Sequence, residues 1–101
     1  PDEIFKNIEI WNELSDEIKF QLDIPIKNCL EILELCKLIT EQLEINQQIR
    51  LVNIIQIIWW RNTKNIYLVK KLENLKSHLK KNIQPRLAWE ITFLKISMEE
   101  I

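Results

Sequence analysis

The chain has no glycine anywhere in its 101 residues. A Walker phosphate loop, a dinucleotide-binding fingerprint and a type I′ hairpin all need glycine, for positive φ or for close approach of the backbone. A nucleotide site built from those motifs is excluded within these residues. Histidine is nearly as scarce: His78 is the sole one and sits among lysines. A general base needs a group that orients it or tunes its pKa. No such partner and no candidate nucleophile stand at a matched position, so His78 reads as a surface residue. Cysteine is limited to Cys29 and Cys36. On one helix these lie about 10 Å apart at roughly 1.5 Å per residue, too far to bridge each other. Two distant thiols and one imidazole do not make a zinc site, and the thiols read as buried and free in a reducing compartment. No apolar run comes near the ~18 residues of a membrane span, and no signal-peptide pattern is present. The carboxylates spread along wet faces and do not pair within apolar stretches, as acid–base or metal chemistry requires. The expectation is a cytoplasmic, non-enzymatic protein with no cofactor, no metal and no membrane contact.

What is present is a core. The composition, 47% hydrophobic and 29% charged, is that of an ordinary folded domain. The length allows one domain, residues 1–101. The chain starts at Pro1 without an initiator Met and reads as a piece of a longer protein. Ile, Asn and Lys are abundant, a bias expected of an AT-rich genome, so the isoleucines argue only weakly for strands. Charge is uneven: residues 1–50 carry eleven acids against five bases, and residues 51–101 four acids against nine bases. That split reads as solvated helix faces, or as a basic face toward nucleic acid or an acidic partner.

Periodicity predicts an all-α, compact bundle of about five helices with short loops. The first spans about Asp2 to Leu14, with Ile4, Ile8 and Trp11 on one side. Ser15 caps a short second piece, Asp16 to Leu22, and Pro25 then breaks the chain. From about Ile26 to Leu43, Lys27, Glu31, Glu34, Lys37 and Glu41 form one narrow polar stripe on an otherwise apolar helix, which is therefore expected to be mostly buried. Asn46 can cap a helix reaching about Asn62 that ends in Trp59 and Trp60. Neighbours on a helix point about 100° apart, so one indole faces the core and the other faces outward or toward a partner. After the polar break Asn62–Asn65, a helix from about Ile66 to Lys81 carries a seam of Leu68, Leu72, Leu75 and Leu79. Lys70, Lys71, Lys76, Lys80 and Lys81 occupy its other faces. These lysines could track phosphates, which makes an independent nucleic-acid-binding module on the Lys64–Lys81 segment the alternative reading. Aromatics do not interleave with them to offer a stacking platform.

The last segment, NIQPRLAWEITFLKI from Asn82 to Ile96, is the most informative. Pro85 suits a first helical position. Leu87, Ile91, Leu94, Met98 and Ile101 then make one continuous stripe, and Ala88, Trp89, Phe93 and Ile96 add apolar surface outside it. Such a helix needs neighbours on more than one side. Surplus apolar surface and four tryptophans together suit a subunit contact.

This segment also resembles the last helix of the collar domain in bacterial clamp-loader subunits. The likeness rests on Asn82, Pro85, Arg86, Leu87, Glu90, Ile91, Phe93 and Leu94. LVNIIQIIWWRN looks like that family's central helix, which ends in an aromatic residue and a polar break, here Trp59, Trp60 and Arg61. The likeness covers most of residues 15–97. The wording QPRLAWE is similar to the delta-prime subunit of DNA polymerase III in its cyanobacterial form, with gamma/tau the second choice; Trp89 stands where other bacterial versions carry an aliphatic residue. The resemblance implies an ATPase-type module ahead of Pro1. It also implies a ring of five subunits held by their C-terminal helical domains, which loads the sliding clamp on primed DNA. This chain would be the oligomerisation collar. It would bind gamma/tau and delta through their collars and touch DNA and the clamp only indirectly. The partner interface expected from it comprises Trp59, Trp60, Arg61, Pro85, Arg86, Trp89 and Phe93.

Overall fold

The computed structural model describes Asn12, Asp16, Leu22, Pro25 and residues 28–99. Within them lie four helices and no strand: α1 (Cys29–Gln42), α2 (Ile45–Thr63), α3 (Ile66–Lys80) and α4 (Pro85–Glu99). The class is all-α as expected, with four described helices in place of about five. The two segments expected at Asp2–Leu14 and Asp16–Leu22 lie outside the described residues, apart from Asn12 and Asp16, which are helical, and Leu22, which is not.

Local chemistry sets the helix ends. The Asn28 side chain accepts hydrogen bonds from the N–H groups of Leu30 and Glu31 at 2.9 and 3.2 Å, so α1 starts at Cys29; the expected start at Ile26 lies outside the described residues. At the start of α2, Gln47 Oε1 reaches back to accept from the Glu44 N–H at 2.8 Å. That reciprocal cap moves the start upstream of the expected Asn46. The α2 helix runs one residue past Asn62 because Thr63 Oγ1 donates to the Trp59 carbonyl at 2.7 Å. Lys64 then turns left-handed, at φ 56° and ψ 27°, and its N–H closes on the Trp60 carbonyl. Asn65 Oδ1 accepts from the Tyr67 N–H at 2.9 Å and opens α3. Pro85 opens α4 as its fixed φ predicts.

The two-residue link makes α2 and α3 an antiparallel hairpin. Gln56 Nε2 donates to the Val69 carbonyl and to Glu73, while Lys76 donates to Asn53, in the register that hairpin requires. Helix α4 packs against both α1 and α3. It runs in the same direction as α2, since Gln48 meets Trp89 and, further along both helices, Trp59 meets Phe93. The buried seam comprises Ile32, Leu35, Cys36 and Ile39 from α1 and Leu51, Val52, Ile55 and Trp59 from α2. Leu68, Leu72, Leu75 and Leu79 of α3 join Trp89, Phe93 and Ile96 of α4.

Helix α1 is not mostly buried: Cys29, Leu30 and Leu33 are exposed, Leu30 at 77%. Its packing on α4 and α2 covers only one side of the helix, so apolar residues off that side stay wet.

Candidate functional site

Helix α4 is apolar on two opposite sides. Trp89, Phe93 and Ile96 are buried against the bundle. Leu87, Ile91 and Met98 form a second stripe at helical spacing, and they are 45%, 44% and 81% exposed. At about 100° per residue the two stripes lie roughly half a turn apart. The stripe of Leu87, Ile91, Leu94 and Met98 therefore exists, but it is the outer face, with Leu94 alone partly covered; Ile101 lies outside the described residues. The residues expected beside that stripe are the ones that enter the core. Periodicity alone cannot rank two apolar faces of equal strength.

The inner face is held by aromatic packing and one buried polar residue. Trp89 and Phe93 meet edge to face at 5.5 Å between centroids, and Trp59 tilts against Phe93 at 5.6 Å. Trp59 Nε1 donates to the Leu22 carbonyl at 2.8 Å, and Trp89 Nε1 donates to Gln48 Oε1 at 2.9 Å. Gln48 in turn donates through Nε2 to the Leu43 carbonyl at 3.0 Å. This one amide joins α4 to the α1–α2 connection. Sequence reasoning missed it because the run Asn46–Gln47–Gln48 looks like a polar helix start. The signal available was its position, since Gln48 precedes Leu51, Val52, Ile55 and Trp59 on one seam.

Of the residues expected at a partner interface, Trp59, Trp89 and Phe93 have almost no exposed surface. Their side chains lie within the bundle core. They stiffen the helices that present other residues, because each fills the bundle interior. Trp60 is 43% exposed, and Arg61 and Arg86 are exposed while Pro85 is half-buried. The split between Trp59 inside and Trp60 outside follows from their offset on the helix. Arg86 Nε lies 3.3 Å from Glu90 Oε2, one turn along α4. Their neighbour across the interface is Cys36. Burial pushes its thiol up to about 12, the Glu90 carboxylate adds to the rise, and Arg86 opposes it. Cys29, expected to be buried with it, is exposed.

The lysines of α3 do not form one phosphate-tracking line. Lys76 is bound to Asn53 at 2.8 Å and lies 3.2 Å from Glu73. Hydrogen bonds from Gln56 and Lys76 hold the Glu73 carboxyl below the usual carboxylate range. Lys70 is exposed in the first half of α3, while Lys80 and Lys81 are exposed at its far end. His78 Nδ1 lies 3.0 Å from the Asn74 carbonyl, a contact within its own helix that orients no reacting group. Among the described residues no cluster of three or more His, Cys, Asp or Glu could hold a metal, and no helix is long and apolar enough to cross a membrane.

Among known families, the one described as cyanobacterial DNA polymerase III delta prime, C-terminal domain, matches residues 1–96. No curated protein and no solved structure matches the chain.

Proposed function

The chain belongs to the family of cyanobacterial DNA polymerase III delta prime C-terminal domains, and from that premise we propose that residues 1–101 act as a subunit-assembly collar. The domain would hold its place in the clamp-loader ring through gamma/tau and delta collars in the cytoplasm. DNA and the sliding clamp would be reached only through the rest of the complex. Its work would be binding, without chemistry and without a cofactor of its own.

The observation that supports this reading is the outer face of α4. Leu87, Ile91 and Met98 remain exposed on a helix whose other apolar face is already buried. Three large apolar side chains in one stripe gain from burial against a neighbouring subunit, at about 25 cal/mol per Å². The Trp89–Phe93–Trp59 packing beneath holds that stripe rigid, so little ordering entropy opposes the contact. A ring built from such contacts is heterologous, with two different surfaces used on each copy.

The test is co-purification with gamma/tau and delta collar fragments. Leu87→Glu and Ile91→Glu should abolish co-elution while the circular dichroism melt stays close to that of the parent. If both variants assemble as the parent does, the outer face of α4 is not the contact. Trp89→Ala is unsuited to this purpose, because it removes a core side chain and would report on folding.

A further inference from the structure

A second exposed surface lies away from the outer face of α4. Near the link between α2 and α3, a shallow groove of about 450 Å³ is lined by Asn53, Gln56, Ile57, Trp60, Ile66 and Val69. Its floor is apolar: Ile57, Trp60 and Ile66 are all exposed large hydrophobics. Ile57, Trp60 and Arg61 fall at steps that share one side of α2, Lys64 follows as its C-cap beside the Trp60 ring, and Ile66, Val69 and Lys70 share one side of α3. The groove therefore has a cationic rim at its loop end. Lys64 Nζ stands 5.7 Å from the centre of the Trp60 ring, where it holds positive charge directly over the aromatic wall. The sequence from Ile45 to Leu72 contains Arg50, Arg61, Lys64, Lys70 and Lys71 and not one carboxylate. At the other end, Glu73 is engaged by Gln56 and Lys76, so the groove grades from cationic to neutral along its length.

We infer that this groove docks an acidic amphipathic helix of a partner protein, with apolar side chains on Ile57, Trp60 and Ile66 and carboxylates facing Arg61, Lys64 and Lys70. Helix-in-groove recognition uses a few apolar anchors at helical spacing, for which Ile57, Trp60 and Ile66 offer the apolar floor here. The aliphatic floor favours a peptide over nucleic acid. Nucleobases stack on aromatic platforms, and here the single indole lies between isoleucines with a lysine over its ring. Trp60 and Arg61 also stand among the residues expected at the collar interface, but the inference draws on none of the outer face of α4 and is tested apart from it.

The test is a titration of the whole chain, followed by amide and indole NMR shifts. Three probes are compared: a synthetic helix with a leucine seam flanked by glutamates, the same helix flanked by lysines, and oligothymidine. The expected result is binding of the glutamate peptide that weakens with salt, with shifts concentrated on Ile57, the Trp60 indole and Ile66. Ile57→Glu and, separately, Lys64→Glu should each weaken it about tenfold or more without altering the circular dichroism spectrum. Three results would overturn the inference: no binding of the glutamate peptide, equal binding of the lysine peptide, or shifts centred on Leu87 and Ile91. Preferential capture of oligothymidine at Trp60 would assign the groove to nucleic acid instead.

Discussion

Gln48 and Cys36 show how single buried polar groups constrain this domain. Gln48 satisfies the Trp89 N–H and the Leu43 carbonyl at once. Gln48→Leu would leave the buried Trp89 N–H without this acceptor, at about 1–3 kcal/mol for a buried group left unsatisfied, while the partly exposed Leu43 carbonyl can turn to water. The denaturant midpoint should fall accordingly. Replacing Trp89 by Phe in the same background should cost less than the sum of the single changes, because the orphaned N–H disappears with the indole. Additive losses in that double-mutant cycle would mean the hydrogen bond carries little. Cys36 gives a pH signature. Its thiol is raised from an ordinary 9.0 to about 12 in the fold, so the folded state favours the neutral form. The contribution is fully present below about pH 9 and is lost as pH rises from there toward 12, because the unfolded chain releases its proton first. Urea midpoints should fall over that window in the parent, and fall less in Cys36→Ala. At about pH 8, iodoacetamide should modify the exposed Cys29 and spare Cys36 until the chain unfolds.

At the scale of the helices, the absence of glycine has a local cost. Lys64, Asn82 and Gln84 have φ of 56°, 53° and 45°, a region that disfavours residues with a Cβ by roughly 1–2 kcal/mol. Asn tolerates it best; Gln84, directly ahead of α4, gains least from its side chain. Gln84→Gly should therefore raise stability by a few tenths to ~1 kcal/mol, the relieved strain being partly offset by a freer unfolded chain. A melting point rising by up to several degrees would show this, and a lower one would mean that the side chain of Gln84 contributes more than its backbone costs. Helix existence was legible in the sequence for the same local reason. Asn65 and Pro85 mark the starts of α3 and α4 through chemistry within a few residues. The α2 cap lies at Glu44, two residues ahead of the expected Asn46, because Glu44 with Gln47 forms the capping box there. The face that α4 buries was not legible, since Leu87–Ile91–Met98 and Trp89–Phe93–Ile96 are equally apolar. Only the presence of α1, α3 and Trp59 on one side decides between them.

For the whole molecule, the two faces of α4 separate folding from assembly. Phe93 sits between Trp59 and Trp89 and joins α2 to α4 across the bundle. The neighbouring Trp59 also ties Leu22, ahead of α1, to the same core. Phe93→Ala should cost about 3–5 kcal/mol, as removal of a buried aromatic ring does. That is a large part of the 5–15 kcal/mol that typically holds a domain together. The variant should melt far earlier, and any loss of partner binding should track its loss of fold. Leu87→Ala, on the opposite side of the same helix, should leave the melting curve within about 0.5 kcal/mol of the parent yet weaken association with collar fragments. A helix that merely fills a core would give the first result at both positions. A helix that also serves a neighbouring subunit gives them separately, so the paired measurement decides whether the exposed stripe of α4 works for the fold or for the ring.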